Sequence, residues 1–255
     1  MRELLCFLSS ALLLASTPAK AEPCRLALVL ALDVSGSVND SEYVQQLSGL
    51  AYALDSREVR TSILASLETP VHLAVFEWSS QNHQFIIQPW ITLKGHAEID
   101  QVTTRIRAYR KQRAGLKTAM GTALLFSAEL LAQRRQCWQK TIDVSGDGKN
   151  NIGPSPEQVY ALDAFDEITV NALVVGDPAS AREAENSMGL TRNELKLYFE
   201  RNVIHGADSF TMIAHGYEDY ARAMQRKLLR ELSPPVMGSN ENGRRRHSEK
   251  ETGGS

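Results

Sequence analysis

Residues 25–40 read RLALVLALDVSGSVND. Leu26–Leu32 is an unbroken apolar run that stops at Asp33, with Ser35 and Ser37 following at alternate positions. Such a run suits a strand covered on both faces, as in a parallel sheet. Its end places three hard oxygen donors on one short loop. That loop suits a helix cap, a nucleophile's cradle or part of a metal site, and the rest of the chain has to decide between them.

Downstream, NDSEYVQQLSGLAYALDS carries Tyr43, Val44, Leu47, Leu50, Ala51 and Leu54 at helical spacing, with Ser41 as its expected N-cap. REVRTSILASL reads as a second short helix. VHLAVFEW and QFIIQPWI read as an antiparallel hairpin about the polar turn SSQNH. HAEIDQVTTRIRAY and TALLFSAELLAQ read as helices, WQKTIDVSGDGKNN as a strand with a polar loop at its end, and PEQVYALDAF as a helix with Pro156 in its first turn. ITVNALVVG, TRNELKLYFERNV, SFTMIA and EDYARAMQRKLLREL complete the pattern as strand, helix, strand and helix. Strands alternating with helices predict an α/β fold, doubly wound, with a mainly parallel sheet and helices on both faces. Ligands of such sheets bind beyond the strands' carboxyl ends, near the point where strand order reverses.

The chain opens with MRELLCFLSSALLLASTPAKAE. Arg2, an apolar run from Leu4 to about Ala15 and the small residues before Glu22 have the layout of a signal peptide, cleaved after Ala21. The run is short for a membrane span, and no later stretch approaches that length. The reading is an exported protein, periplasmic or secreted, with one domain over 22–232 and a tail over 233–255 that has little to bury. Without residues 1–21, the 28 Lys+Arg lose Arg2 and Lys20 and the 30 Asp+Glu lose Glu3, so the formal charge moves from −2 to −3. A mildly acidic chain is a poor nucleic-acid binder. Cys6 leaves with the leader, and the remaining Cys24 and Cys137 suggest one disulfide in an oxidising compartment.

Two further loops join the first. AMGTALL offers Thr122 at the mouth of a helix, and VSGDGKNN offers Asp147 after a strand. Two carboxylates and three hydroxyls form an all-oxygen set without the His or Cys ligands of zinc and copper sites. The set suits Mg²⁺, which takes one or two carboxylates and keeps several waters, with Mn²⁺ and Ca²⁺ as alternatives. Asp143, inside its strand, is a weaker candidate, and Lys149, Asn150 and Asn151 read as solvated loop residues. The basic run RIRAYRKQR (Arg105, Arg107, Arg110, Lys111, Arg113) is either a solvated face or a patch that steers an acidic partner. His72, His83, His96, His205 and His215 show no metal spacing. Asn39-Asp40-Ser41 matches a glycosylation sequon but falls in the site loop.

DVSGS resembles the Asp-x-Ser-x-Ser signature of von Willebrand factor A-like domains, MGT resembles their Gly-Gly-Thr, and SGDG resembles their Thr-Asp-Gly. The resemblance extends over about residues 24–232. It implies a Rossmann-type sheet with one antiparallel edge strand and a metal-ion-dependent adhesion site at Asp33, Ser35, Ser37, Thr122 and Asp147. It further implies a protein partner that offers Asp or Glu to the metal, and no catalysis. By the family's strand order, Cys24 and Cys137 begin neighbouring strands side by side, which implies their disulfide. Met120 in place of the first glycine, and Ser145-Gly146 before Asp147, depart from the pattern without removing a ligand. DVSGDGKNN and the closing AHGYEDYARAMQRKLLREL resemble a bacterial family of exported proteins built on this domain.

Two other functions compete. An aspartate ending a first strand, with Mg²⁺ and a nearby lysine, also describes a phosphoryl-transfer hydrolase with Asp33 as nucleophile. Such enzymes as a class tend to carry a second aspartate two residues on, where this chain has Ser35. The third possibility is a metal-free scaffold. No GxxxxGK[ST] loop and no G-x-S-x-G elbow occurs.

Overall fold

In the computed structural model, which describes residues 23–112, 114–176 and 192–233, the first strand β1 (Cys24–Asp33) lies at the middle of a six-stranded sheet. The other strands are β2 (Val71–Trp78), β3 (Gln84–Leu93), β4 (Cys137–Gly146), β5 (Ile168–Gly176) and β6 (Thr211–His215). Their order is β3-β2-β1-β4-β5-β6, all parallel except β3, which pairs antiparallel with β2 at one edge. The mainly parallel sheet with its antiparallel edge strand is as expected. The expected leader at 1–21, the residues after Ser233 and Arg113 lie outside the described residues.

The period-2 geometry of a strand explains why β1 must be apolar throughout. Leu26, Leu28, Leu30 and Leu32 face one core, shared with α1 (Asp40–Asp55), α2 (Arg57–Ile63), α3 (His96–Ala108) and the last helix. Ala27, Val29 and Ala31 face a second core against α4 (Met120–Ala132). Three helices follow: α5 (Pro156–Tyr160), α6 (Arg192–Tyr198), which runs into a π turn at Phe199–Val203, and α7 (Tyr220–Leu232). The N-cap of α1 is Asn39 rather than the expected Ser41. Its side chain accepts from the Ser41 and Glu42 amides, and Glu42 reaches back to the Asn39 amide in a capping box.

Cys24 and Cys137 are paired in register at the starts of β1 and β4 and are joined by a disulfide with Cα atoms 4.4 Å apart. The bridge clamps the amino ends of the two central strands. Their carboxyl ends diverge at the reversal point, since β1 is followed by connections toward β2 and β4 leads toward β5. Asp33 and Asp147 stand at that opening. Among the described residues, no helix is long and apolar enough to cross a membrane.

Candidate metal centre

Asp33 is fully buried at the last position of β1. Its Oδ1 accepts the Ser35 amide at 2.8 Å, while its Oδ2 is buried without a hydrogen bond. Gln46 of α1 donates to the Asp33 carbonyl at 3.2 Å and so ties the loop to the helix. Ser35 Oγ lies 3.4 Å from Ser37 Oγ, and Ser37 Oγ donates to Asp147 Oδ1 at 2.6 Å. Four of the five sequence-derived positions are therefore linked in one continuous network. Gly146 is needed beside it, because a Cβ there would stand 3.1 Å from Asp33 Oδ2.

The fifth position requires a correction. Thr122 lies inside the first turn of α4, and among the described residues no hydrogen bond joins it to Asp33, Ser35, Ser37 or Asp147. Its Oγ1 faces Gly153, where a Cβ would come within 3.0 Å. The hydroxyl that meets the network is Thr118, whose Oγ1 donates to Ser35 Oγ at 3.2 Å. Thr118 precedes the helix, where a loop residue can turn its side chain toward the crevice. Helical spacing instead carries Thr122 around toward the 150s loop. Asn151 fixes the Thr118 backbone from both sides: its Oδ1 accepts the Thr118 amide and its own amide donates to the Thr118 carbonyl, each at 2.9 Å. Asn150 Oδ1 accepts the Gly121 amide at 3.3 Å. The two asparagines expected to be solvated thus hold the loop that carries Thr118.

Glu77 was missed at the sequence level because it lies within an apolar strand. It is fully buried and receives Tyr43 Oη at 2.8 Å and the Gln112 amide at 3.1 Å, with His83 Nε2 3.3 Å away. Burial pushes its carboxyl up, and these hydrogen bonds oppose that rise. They hold the segment leading to Thr118 against β2. The basic run spans the end of α3 and the start of this segment, and three of its side chains are engaged. Arg107 pairs with Asp55 at 2.8 Å, Lys111 donates to the Val38 carbonyl at 3.0 Å, and Arg110 donates to the carbonyls of Ala108 and Tyr109.

The electrostatics favour an added cation. Burial, and then the nearby Asp147 charge, push the Asp33 carboxyl up to about 8. Asp147 is also raised, mainly by burial. Two carboxylates held together with hydroxyl oxygens, one carboxylate oxygen buried without a partner, and no ion pair to either acid among the described residues form a donor set that fits a hard divalent ion.

The mostly parallel sheet, its single antiparallel edge and the donor crevice at the strand-order reversal define a von Willebrand factor A-type fold. Solved structures of that type align with 82% of the chain. Proximal thread matrix protein 1 from the mussel byssus matches with a TM-score of 0.57 at 17% identity, the chain covering 48% of it. A von Willebrand factor type A protein from Catenulispora acidiphila gives 0.57 at 13%, with 43% of it covered. The pilus adhesin SpaC from Lactobacillus rhamnosus GG, in its open conformation, gives 0.58 at 14%, with 30% covered. The chain thus spans about half or less of each, and the likeness is one of fold. A search of curated protein sequences returned no match. The chain belongs to the family described as Protein of unknown function (DUF1194), whose model matches residues 23–236.

Proposed function

We propose that this protein is an exported protein-binding module that holds a divalent cation at Asp33, Ser35, Ser37, Asp147 and Thr118, and captures a carboxylate of a protein partner there. The observation that carries the reading is the pair of acids at the sheet opening, with Asp33 Oδ2 buried and unpartnered. Mg²⁺ is the proposed ion, with Mn²⁺ and Ca²⁺ as alternatives. When bound, the cation supplies a positive centre. The two aspartates offset its charge and the neutral hydroxyls add none, so an anionic oxygen from outside is the natural further ligand. The protein's own share of the work is to hold these donors in place: Gln46 anchors the first loop, Asn151 the Thr118 loop and Gly146 keeps the floor clear. In this reading no chemical turnover occurs, and the adhesin among the proteins of similar fold lends it support.

Residues 1–21 serve as the leader of the exported chain in this reading, and 22–232 as one domain. The test is capture from exported proteins with and without EDTA, next to thermal melts with Mg²⁺. Retention of the same partner in EDTA, or a melting curve indifferent to Mg²⁺, overturns the assignment.

A further inference from the structure

Beside the proposed metal centre lies a groove of about 800 Å³, walled by α1 and by the segment between α3 and α4. Ser35 and Gly36 of the metal-site loop form part of its lining, so it opens directly onto that loop. Its lining includes the buried Tyr43 and Leu47 and two side chains that burial alone does not explain: Val44 is 63% exposed and Leu116 is 82% exposed. Single exposed aliphatics are ordinary on any surface, but two on one groove with a buried apolar lining make a patch. Leu116 is also packed onto the metal-site loop, since a Cβ at Gly36 would meet its carbonyl oxygen at 3.0 Å and its Cδ2 at 3.2 Å. The apolar surface therefore begins where the donor set ends.

Charge around the groove favours an acidic approach. Arg110 and Lys111 line it against one acid, Asp40, whose Oδ1 is 3.9 Å from Lys111 Nζ. Lys111 is held over the Tyr43 ring, 5.2 Å from its centroid, so the apolar wall carries a fixed cation.

We propose that this groove receives a large apolar side chain, aromatic or leucine, of an acidic partner segment whose carboxylate sits one to three residues away at the metal. The proposal rests on the metal-dependent reading above and adds a specificity site to it. The spacing follows from the shared Ser35–Gly36 lip, because an extended segment advances about 3.4 Å per residue. The carboxylate supplies the common anchor, whereas the groove selects among acidic segments by the neighbouring side chain.

The test uses ¹⁵N-labelled protein with Mg²⁺, titrated with the peptide acetyl-Gly-Asp-Gly-Phe-Gly-amide, its Phe→Gly counterpart and its Asp→Asn counterpart. Binding of Mn²⁺ to each protein variant is measured in parallel. The Phe peptide should bind about tenfold tighter than the Gly peptide, the scale of one well-buried anchor. It should also shift the amides of Val44, Leu47 and Leu116. In Leu116→Asn and Val44→Asn, both at exposed positions that the fold does not bury, that preference should collapse. Equal binding of the Phe and Gly peptides, still lost in EDTA, overturns the groove and leaves the metal reading standing. A Phe preference that survives EDTA and the Asp→Asn change overturns the metal reading while supporting the groove. No shift with any peptide while Mn²⁺ binds overturns the groove proposal.

Discussion

Among the described residues, two pairs of acids meet at this sheet, and the chain supplies a paired lysine to one of them. On the face toward α7, Asp143 of β4 and Glu231 share the fully buried Lys227, whose Nζ is 2.7 Å from Asp143 Oδ1 and 2.6 Å from Glu231 Oε1. The Glu231 contact is an aligned hydrogen bond, and the Asp143 contact is an ion pair without that alignment. Asn171 adds a donor to Glu231 at 2.9 Å. At the sheet opening, Asp33 and Asp147 have hydroxyls and an amide, and among the described residues no lysine or arginine pairs with either. The first pair is closed by a lysine of the chain itself, whereas the second stands at the strand-end crevice and awaits a charge from outside. Both raise a carboxyl: Asp143 to about 7, chiefly through burial and then Glu231, and Asp33 to about 8. The difference is that a mobile cation can relieve only the second.

The largest expected effect comes from removing the fixed cation. Lys227→Met leaves two buried acids facing each other and should cost about 3–5 kcal/mol, the usual penalty of breaking a buried pair from one side. Urea unfolding measures it. A loss below about 1 kcal/mol would mean that the acids are already neutral and that the two regions do not differ as described.

At the open pair the sign reverses. Asp33→Asn replaces a carboxyl that burial disfavours in its charged form with a neutral amide of the same shape, so the variant in EDTA should melt no lower than the wild type. It should also lose the stabilisation by Mg²⁺, which is about 2.7 kcal/mol for a ligand at a hundred times its Kd. The pH dependence follows from the raised carboxyl. The folded state holds the Asp33 proton more tightly than the unfolded chain does. Its contribution to stability is therefore full below the ordinary carboxylate range and is lost as pH rises through about 8. In EDTA the wild type should lose stability across that window, and Asp33→Asn should be flatter there. Melting curves from pH 5 to pH 9 read the slopes, and parallel slopes for the two proteins would count against an uncompensated Asp33.

How much of this contrast the sequence carried depends on what each residue's signal was. The unbroken run of β1 and the alternation of elements forecast the parallel sheet, because burial on both faces leaves no polar positions to disguise the strand. Asp33, Ser35 and Ser37 share one loop and Asp147 follows a strand end, so local order was enough to read them as neighbours, and the hydrogen bonds join them. Thr118 was not legible in the same way. Two threonines flank the start of α4, and which one turns inward depends on where the helix begins and on the Asn151 clamp from a distant loop. The Lys227 pairing depends on α7 packing across β4, a contact between residues 84 positions apart, and nothing local announces it. Glu77 was likewise hidden inside an apolar strand.

Thr118 gives the next effect in size. A neutral hydroxyl contributes less than a charged ligand, so Thr118→Ala should weaken Mg²⁺ binding by about tenfold, at the low end of losses for groups that organise a metal site. Thr122→Ala should leave the affinity where it was, because its hydroxyl faces Gly153. Calorimetric titration of both variants separates them. Equal losses, or a loss in Thr122→Ala alone, would return the sequence-level assignment and remove the packing argument for Thr118.

The smallest effect tests whether the open pair has a hidden counter-ion after all. Lys111 is a nearby basic residue whose charge eases Asp33, but it is the last and weakest of the influences on that carboxyl. Its Nζ is occupied by the Val38 carbonyl and lies over the Tyr43 ring. Lys111→Met should therefore change stability by less than about 1 kcal/mol, as for other partly exposed ion pairs. Its effect on the metal has two opposing parts. Loss of a positive charge relieves repulsion of Mg²⁺, yet it also lets Asp33 hold its proton more firmly, and that proton must leave before the metal binds. At about pH 9 the second part fades, and the variant should bind Mg²⁺ roughly twofold to threefold tighter than the wild type. Near pH 7 the gain should shrink or vanish. A stability loss as large as that of Lys227→Met would instead make Lys111 the counter-ion of Asp33, and the two acid pairs would then be alike.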